Sequence, residues 1–452
     1  MKTIDEIAVS DYGRASTVPS PVSRMMSEFA FSFRDGIDIN LGVGYVNEST
    51  IPAKLIEEAS IEVINNNDRY RAVLNYGGSK GSQNLIDSIR QYYTDNKIGG
   101  IDEDILDEKE IIIGANGATS LLDGIAHIVK HGIVITSDPL YYIYSNMLTR
   151  TGFEILAIPE DDEGMRTDIL IKKLNELGDR KKDISFLYLV TINNPTCTIT
   201  SNNRRREIVE IISRLSLELK RKVPVIFDKA YEDIIHDPRV EKPSSGIIFD
   251  DIGIVYEVGT LSKVIAPALR IGYMIGPHGQ FMDIMVQRTN DVGLCPSSLT
   301  SEIASYLIDN HIGDQIKHVN DGYKRRASAV KELLDENLGD YIADCKGGQA
   351  GFYFYITFLE GIMTDEASDL FKFLARVTGD PKIDGYPKNI KPRVIYIPGQ
   401  LCVHQKGDLI ELGLRQMRIS YGFEEPRRIE EALRYFEEHL KSRQDDPRHS
   451  YI

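Results

Sequence analysis

The chain has 452 residues and a formal net charge of −15, with 27% charged and 42% hydrophobic residues. This composition is typical of a globular protein with a large core, and it excludes collagen-like, coiled-coil and disordered chains. A chain this acidic lacks the positive surface that duplex binding requires, so we expect no nucleic acid among its partners.

Short apolar runs alternate with helical segments between about residue 110 and residue 277. Most of these runs are continuous, which is typical of strands covered on both faces in a mainly parallel sheet. The predicted strands are residues 110–114, 132–136, 154–159, 185–190, 223–228, 253–259 and 270–276. Helical spacing is clearest after Ser201, where Ile208, Ile212 and Leu215 lie on one face. This alternation predicts a large α/β domain.

The C-terminal third has a different pattern. A long charged stretch over residues 309–338 predicts one connecting helix, and residues 424–441 predict a closing helix. Residues 351–358 and 393–398 are strand-like, so this part favours a smaller α+β domain. The predicted units are an N-terminal segment packing with the small domain (1–50), a large domain (51–310) and a small C-terminal domain (311–452).

A lysine in an unusual setting follows the predicted strand 253–259. Lys263 lies among small and apolar residues, with hydroxyls at Thr260 and Ser262 and a guanidinium at Arg270. A desolvated lysine beside another cation has a lowered pKa and can act as an imine-forming nucleophile. Hydroxyls together with a guanidinium also suit a dianionic phosphate. A surface lysine is the commoner interpretation of Lys263 alone, so the hypothesis depends on this setting.

Two further motifs follow predicted strands. Asp228 ends strand 223–228, and a buried carboxylate at that edge of an α/β sheet can hold a pyridinium proton. An aspartate alone at this position is more often a helix cap or a loop residue. Residues 114–119 form a Gly-rich turn from strand to helix, where exposed N–H groups suit a phosphate. Because the turn matches neither a Walker loop nor GxGxxG, nucleotide binding has little support.

Three weaker motifs complete the set. Asn194 lies in an Asn-Asn-Pro-Thr turn after strand 185–190. Tyr141 lies in an Asp-Pro-Leu-Tyr segment, where its ring could belong to the core or form a stacking face. Arg418 lies in the strand-like segment 416–420, where an arginine is costly without an anionic partner.

The order and spacing of these six motifs resemble those of the fold-type I, class I/II aminotransferases that use pyridoxal 5′-phosphate (PLP). The resemblance covers about residues 41–440 and rests on Asn-Pro, Asp-x-Ala-Tyr and Ser-Lys-x-x-x-Pro-x-x-Arg-x-Gly. It implies the type I PLP-transferase fold, an α/β fold with a mainly parallel seven-stranded sheet. It also implies an enzyme that moves an amino group between an L-amino acid and a 2-oxo acid by a ping-pong mechanism.

The resemblance further implies a role for each matching residue. Lys263 would bind PLP covalently and Asp228 would pair with its pyridine nitrogen. Asn194 and Tyr231 would hydrogen-bond the phenolic oxygen of the ring, and Tyr141 would stack on the ring. The residues implied around the phosphate are Gly117, Ala118, Thr119, Thr260, Ser262 and Arg270.

Substrate binding and assembly are implied by three more segments. Arg418 would grip the α-carboxylate of the substrate, with Asn194 and Gly44 beside it. Residues 76–81 resemble the stretch in which a tyrosine, here Tyr76, reaches the PLP phosphate of the neighbouring subunit. A homodimer with shared active sites is therefore implied.

The chain departs from the family pattern at several positions. Cys197 and Ala268 stand where glycine is usual, and Val46 stands where proline is usual. These changes remove no group that the chemistry needs, but they leave the amino donor and acceptor open. Residues 398–418 have a weak likeness to transaminases of the valine–pyruvate type.

Three other interpretations compete with a transaminase. A PLP-dependent lyase, such as a carbon–sulfur lyase or an aminocyclopropane-carboxylate synthase, shares the same cofactor residues. A PLP-sensing regulator would need an N-terminal winged helix, and the residues before Leu41 lack a basic helix-turn-helix pattern. His127 and His131 lie four residues apart on a predicted helix without a third ligand, so we predict no metal site.

The cysteines and the first residues favour the cytoplasm. Four cysteines lie scattered without metal-ligand spacing, which indicates reduced thiols. The N-terminus is acidic where a signal peptide needs an apolar stretch. No run approaches the roughly 18 apolar residues that a membrane helix requires, so we expect no membrane partner.

Overall fold

The computed structural model describes residues 7–386 and 388–444. Its strands in chain order are β1 (Ile39–Asn40), β2 (Lys109–Ile113), β3 (Ile133–Asp138), β4 (Glu154–Asp161), β5 (Gly164–Met165), β6 (Ile184–Val190), β7 (Val225–Asp228), β8 (Val255–Thr260), β9 (Gly272–Pro277), β10 (Ile342–Gly347), β11 (Tyr353–Phe358), β12 (Gly385–Tyr386), β13 (Asn389–Ile390), β14 (Val394–Ile395), β15 (Ile397–Pro398) and β16 (Gln416–Ser420). Its α-helices are α1 (Asp11–Ala15), α2 (Pro21–Phe31), α3 (Ala53–Asn65), α4 (Gln83–Asp95), α5 (Glu103–Asp107), α6 (Gly117–Ile128), α7 (Tyr142–Thr151), α8 (Thr167–Leu177), α9 (Asn202–Leu219), α10 (Gln280–Gly293), α11 (Ser298–Leu338), α12 (Asp369–Ala375), α13 (Pro381–Asp384), α14 (Ile410–Gly413) and α15 (Pro426–Gln444).

The largest sheet has eight strands in the order β2-β9-β8-β7-β6-β3-β4-β5. The pairs from β8 through β7, β6 and β3 to β4 are parallel, whereas β9 runs antiparallel to both of its neighbours. The predicted mainly parallel α/β fold is therefore confirmed. The sheet has one strand more than predicted because β5, which has two residues, is too short to leave a pattern in the sequence.

Full burial of the central strands explains their continuous apolar runs. Every residue of β3, β6 and β8 is buried. Because successive side chains of a strand point to opposite faces, both faces of this sheet are covered. The helices between the strands supply the cover: Ser201 caps α9 by accepting a hydrogen bond from the Arg204 N–H, and Ile208 and Ile212 are buried.

The parallel strands bring several loops to one edge of the sheet. Asp228 is the last residue of β7, Thr260 is the last residue of β8, and the turn at Asn194 follows β6. Strand β2 runs in the same direction as β8, since both are antiparallel to β9, so the turn at Gly117 reaches this edge too. Four separate motifs of the sequence therefore meet there.

A second sheet has the order β10-β11-β16-β15 and is antiparallel throughout. Arg418 lies in β16 opposite Tyr355 of β11. The predicted strand 393–398 is split, because β14 pairs with β1 while β15 pairs with β16. The chain changes its partner strand at Tyr396, which lies between the two.

Helix α11 has 41 residues and begins well before the predicted start at residue 309. Ser297 caps it by accepting a hydrogen bond from the Thr300 N–H. The predicted boundary between residues 310 and 311 falls inside this helix, and the three domain ranges stay predictions. Residues 1–6 and 445–452 of those ranges lie outside the described residues. Among the helices of the described part of the chain, none is both long and apolar enough to span a membrane.

Candidate active site

A cavity of about 300 Å³ lies at the carboxyl edge of the large sheet. The strand ends and the first turns of α6 and α7 form its wall. The structure brings ten of the predicted site residues together there: Ala118, Thr119, Tyr141, Asn194, Asp228, Tyr231, Thr260, Ser262, Lys263 and Arg270.

Lys263 lies three residues beyond the end of β8 and projects into this cavity. Its Nζ is 3.5 Å from the carbonyl oxygen of Gly44 and 5.5 Å from the ring centroid of Tyr231. Burial, together with the nearby guanidinium of Arg418, lowers the pKa of the Lys263 amine to about 8. An amine that loses its proton this close to neutral pH can serve as a nucleophile or as a general base.

Asp228 is buried, with 4% of its surface exposed. Its Oδ2 accepts a hydrogen bond of 2.8 Å from the Tyr188 hydroxyl, and its Oδ1 accepts one of 3.0 Å from the Ala230 N–H. Burial raises the pKa of Asp228 to about 6, although both hydrogen bonds favour the charged form. Both donors are neutral, so the carboxylate can still take a cationic partner from a ligand.

Sequence analysis missed Tyr188, which lies in the apolar strand β6 and is 1% exposed. A tyrosine within a fully buried strand needs a partner for its hydroxyl. This signal was available from the sequence, but the identity of the partner was not. The register of β6 and β7, which sets Tyr188 opposite Ile226, brings that hydroxyl to Asp228.

A tight cradle forms where the Gly-rich turn meets the start of β9. A Cβ atom on Gly272 would lie 2.1 Å from the Ala118 nitrogen, so the two backbones approach each other too closely for any side chain. Gly117 has a φ of +68°, and a Cβ there would lie 2.8 Å from Nη2 of Arg270. The guanidinium of Arg270 is held in place by a hydrogen bond, which its Nε donates to Oδ1 of Asn116 over 2.9 Å.

Hydroxyl groups complete this end of the cavity. The Thr260 hydroxyl donates to the carbonyl oxygen of Ile271 over 2.7 Å and lies 2.9 Å from the Ser262 hydroxyl. Arg270, the Ser262 hydroxyl and the N-terminus of α6 thus supply donors around one space, and the Thr260 hydroxyl lies beside Ser262. Such a donor set is what a phosphate requires.

Arg418 is 1% exposed although its guanidinium carries a full charge. Its Nη1 donates to Oδ1 of Asn194 over 2.7 Å, and its Nη2 donates to the carbonyl oxygen of Gly42 over 2.5 Å. Both acceptors are neutral, and the buried Nε has no hydrogen-bond partner among the described residues. A buried cation with an unused donor is costly until an anion arrives, so this site suits a carboxylate.

Two tyrosines that sequence analysis did not single out frame this arginine. The guanidinium carbon of Arg418 lies 4.2 Å from the ring centroid of Tyr353 and 5.7 Å from that of Tyr142. The aromatic residues of β11 predicted a strand from the sequence, but they did not predict which strand pairs with it. Only the pairing of β11 with β16 brings Tyr353 and Arg418 together.

Four predicted residues lie outside the wall of the cavity, namely Gly117 and Arg418, described above, and Gly44 and Tyr76. Gly44 faces the site with its carbonyl oxygen, which lies 3.5 Å from Nζ of Lys263. Tyr76 is 78% exposed, and the Gly77 N–H next to it donates to Sγ of Cys295. The role implied for Tyr76 concerns a neighbouring subunit and stays a prediction.

The two histidines predicted on one helix are separated by its end, because α6 ends at Ile128 and His131 lies beyond it. Nδ1 of His127 lies 2.8 Å from the carbonyl oxygen of Asp123. His131 packs its ring against Phe153, with 4.7 Å between the ring centroids. Within residues 7–386 and 388–444, no three side chains of His, Cys, Asp or Glu gather as metal ligands.

Comparison with known proteins identifies the family. The profile of the family "Aminotransferase class I and II" matches residues 37–375. The chain is 27% identical to aromatic-amino-acid aminotransferase 1 of Thermococcus litoralis over 332 residues, which are 72% of this chain and 75% of that protein. It is 26% identical to the uncharacterized HTH-type transcriptional regulator YisV of Bacillus subtilis over 71% of this chain, but spans only 62% of that protein.

Solved structures of similar fold cover nearly the whole chain. The multiple substrate aminotransferase of Thermococcus profundus matches with a TM-score of 0.79 and 23% identity, over 96% of this chain and 97% of that chain. The Pyrococcus horikoshii kynurenine aminotransferase, solved in complex with PMP, matches with the same scores and coverage. The chain belongs to the aminotransferase class I and II family. It is a PLP-dependent aminotransferase, as the sequence motifs predicted.

The cavity fits PLP on two features of its own. Glycine at position 117 leaves the space beside Arg270 open, since a Cβ atom would fill it. In the same cavity, Asp228 is a buried carboxylate whose partners Tyr188 and Ala230 are neutral, which suits a protonated pyridine nitrogen. A site for an anion and a buried acid therefore line one cavity together with Lys263.

Proposed function

We propose that this aminotransferase moves the amino group of an L-amino acid to a 2-oxo acid in the cavity around Lys263, by a ping-pong mechanism. Lys263 would hold PLP covalently, Asp228 would pair with the pyridine nitrogen, and Tyr141 would stack on the ring. Asn194 and Tyr231 would hydrogen-bond the phenolic oxygen. The residues that would bind the phosphate are Gly117, Ala118, Thr119, Thr260, Ser262 and Arg270.

The environment of Arg418 carries this proposal. A fully buried guanidinium with two neutral acceptors and an unused Nε is a receptor for a carboxylate. Asn194 accepts from Nη1 of Arg418 and also lines the cavity of Lys263, so the carboxylate site and the cofactor site are adjacent. Amino acids and 2-oxo acids share one feature, an α-carboxylate, and one arginine can therefore serve both half-reactions.

Each residue has a defined task in the reaction. PLP, when bound, supplies an electron-withdrawing ring that stabilises the negative charge left on the substrate Cα. Asp228 keeps a proton on the pyridine nitrogen, which makes that withdrawal stronger. Arg418 orients the substrate through its carboxylate, and the freed amine of Lys263 takes the proton from Cα as general base.

The lowered pKa of Lys263 suits this proton transfer. A lysine with its ordinary pKa would hold its proton throughout the neutral range and could not accept another. Burial and the charge of Arg418 lower the pKa to about 8, so a minor fraction of the amine is free at neutral pH and this fraction grows as the pH approaches that pKa.

We also propose a homodimer in the cytoplasm. Tyr76 and Leu74, two residues apart in the chain, are 78% and 73% exposed, and large exposed apolar side chains suit a protein interface. In such a dimer, Tyr76 reaches the PLP phosphate of the partner subunit. Cys197, Cys295 and the other two cysteines are free thiols, which supports a reducing compartment.

The test is to replace the lysine and to locate the cofactor. Lys263→Ala should abolish transamination and the visible absorbance band of the lysine-bound cofactor, while far-UV circular dichroism stays unchanged. In the wild type, borohydride reduction followed by peptide mass spectrometry should find the PLP adduct on Lys263. The control is Lys331→Ala, an exposed lysine of α11 paired with Asp335, which should retain both activity and band.

Two outcomes would contradict the proposal. Transamination by Lys263→Ala at the wild-type rate would remove Lys263 from the reaction. Release of pyruvate and ammonia by the wild type, without amino transfer to a 2-oxo acid, would instead favour a lyase on the same scaffold.

A further inference from the structure

Tyr353 connects the two halves of the site. It is the first residue of β11, lies opposite Ser420 of β16 and is 1% exposed. Its ring centroid is 4.2 Å from the guanidinium carbon of Arg418, and its hydroxyl oxygen is 3.2 Å from that of Tyr231. One side chain therefore touches both the carboxylate receptor and a residue of the cofactor cavity.

The ring of Tyr353 fixes the plane of Arg418. Arg418 lies directly opposite Tyr355, so Tyr353 is its diagonal neighbour across the two strands and can reach it with a long side chain. A guanidinium against an aromatic face is attracted to it, and more strongly when both are removed from water. With the plane held and Nη1 bonded to Asn194, the unused Nε keeps a fixed direction.

The hydroxyl of Tyr353 occupies a space beside Gly44 that a side chain at position 44 would fill. A Cβ atom on Gly44 would lie 2.7 Å from that hydroxyl oxygen, whereas the glycine admits it. Burial raises the pKa of both Tyr353 and Tyr231, so each hydroxyl keeps its single proton across the neutral range. If Tyr353 donates to Tyr231, the proton of Tyr231 is free for another acceptor, and hydrogen bonds in such a chain strengthen each other.

We propose that Tyr353 is a positioning residue that orients Arg418 with its ring and directs the proton of Tyr231 toward the phenolic oxygen of PLP with its hydroxyl. This inference rests on the proposed function, in which Tyr231 donates to that oxygen. It assigns two separable tasks to one side chain, and each task can be removed by a different substitution.

The hydroxyl is tested by a pH titration of the visible absorbance band in the PLP-loaded protein without substrate. A donor at the phenolic oxygen stabilises its anionic form, so losing the Tyr353 hydroxyl weakens that donor and favours the protonated chromophore. Tyr353→Phe should therefore raise the titration midpoint by about 0.5 pH unit or more, while the Tm stays near the wild-type value. The other titratable and charged groups around Tyr231 are unchanged in this variant: Asp228, Tyr141, Lys263 and Arg270 of the same cavity, and Arg418, which is bonded to Asn194 of its wall.

A matched control lies two residues along the same strand. Tyr355 is also 1% exposed, and its hydroxyl donates to Oε1 of Gln416 over 3.1 Å rather than to Tyr231. Tyr355→Phe removes a buried hydroxyl at comparable structural cost and should leave the midpoint where it is. An equal midpoint shift in both variants would overturn the inference, because it would be a general effect of disturbing β11.

The ring is tested by substrate affinity. Tyr353→Leu should raise the KM of the amino acid and of the 2-oxo acid about tenfold, since a lost cation–π contact in a dry site is of that size. Tyr353→Phe keeps the ring and should leave both KM values near those of the wild type. Equal KM values in all three proteins would overturn the orienting task of the ring.

The inference and the proposed function fail in different ways. A wild-type protein without a visible band in the presence of PLP would overturn the proposed function, and the inference with it. A wild-type band whose titration midpoint is the same in Tyr353→Phe would overturn only the task assigned to the hydroxyl.

Discussion

Two buried ionisable side chains in this cavity have their pKa values moved toward each other. Burial lowers the pKa of Lys263 to about 8 and raises that of Asp228 to about 6. One environment thus acts in opposite directions on an amine and on a carboxylic acid, because it disfavours whichever form is charged. Between these two values the carboxylate is mostly ionised and the amine still mostly holds its proton, with a free-amine fraction that grows toward the pKa of Lys263.

The hydrogen bond from Tyr188 keeps Asp228 ionised near neutral pH. Without this donor the pKa of Asp228 rises further, since the hydroxyl stabilises only the charged form. As pH falls through that pKa, the carboxylate takes up a proton and can no longer pair with a protonated ring nitrogen. Affinity of the apo-protein for PLP should therefore decline below about pH 6, and in Tyr188→Phe the decline should begin at higher pH.

This dependence is measured by titrating the apo-protein with PLP at equilibrium and following the absorbance. The titration is repeated from pH 5 to pH 8, at roughly half-unit steps around the expected pKa. The control is Tyr396→Phe, which removes an equally buried hydroxyl that donates to the carbonyl oxygen of Thr364 over 2.7 Å. Superimposable pH curves for Tyr188→Phe and the wild type would show that Tyr188 does not set the charge of Asp228.

At the scale of elements, the loop after β7 is held by a buried ion network. Lys229 is 5% exposed, and its Nζ lies 2.9 Å from Oε2 of Glu257 and 3.2 Å from Oε2 of Glu232. Arg205 of α9 reaches the other oxygen of Glu232 over 2.6 Å. Because Lys229 stands between Asp228 and Tyr231, this network positions the segment that carries both site residues.

Removing one member of the network should be costly. Lys229→Met leaves Glu257 and Glu232 buried with less compensation, so the free energy of unfolding should fall by about 3–5 kcal/mol. Chemical denaturation of the apo-protein measures this loss. Lys331→Met is the control, since Lys331 and Asp335 are an exposed pair one helical turn apart and should contribute about 0.5 kcal/mol or less. Similar losses in the two variants would show that the buried network does not stabilise the loop.

The elements that sequence analysis predicted are those with a strong local pattern. The continuous apolar runs of the large sheet and the spacing of Ile208 and Ile212 on α9 depend only on neighbouring residues, and the structure confirms both. The split of residues 393–398 depends on β1 and β16, which are remote in sequence, so no local pattern contains it.

The same distinction holds for the site. Lys263 and Asp228 could be singled out because each stands at a strand end with chemically meaningful neighbours. Tyr353 and Tyr188 look like ordinary core aromatics in the sequence. Their importance arises from strand register, which sets each hydroxyl beside a partner on another strand or loop.

At the scale of the whole molecule, the site is assembled from both sheets. Lys263 and Asp228 come from the eight-stranded sheet, whereas Arg418 and Tyr353 come from the four-stranded one. The bond from Arg418 to Asn194 joins these two parts directly. The residues that we propose for the substrate and for the cofactor therefore meet only when the two sheets are packed together.

If each active site is shared between two subunits, two inactive variants should complement each other in a mixed dimer. Lys263→Ala lacks the reacting amine, and Tyr76→Ala lacks the hydroxyl offered to the partner subunit. In hybrid dimers one of the two sites has both residues intact, so unfolding, mixing and refolding the two variants together should restore about one quarter of wild-type sites. The number of restored sites is measured from the initial rate.

The control is each variant carried through the same procedure alone, which should show no gain. A mixture that gains nothing, although sedimentation shows dimers, would mean that Tyr76 does not act across the interface. A monomeric wild type would contradict the shared site altogether.

The central claim is amino transfer at Lys263, and a single half-reaction tests it most directly. Wild-type protein loaded with PLP is mixed with a panel of L-amino acids, one at a time and without any 2-oxo acid. The account predicts that at least one donor removes the visible band and releases one equivalent of its own 2-oxo acid per site, and that adding a second 2-oxo acid restores the band. A band that persists with every amino acid, or that disappears while ammonia is released, would contradict it.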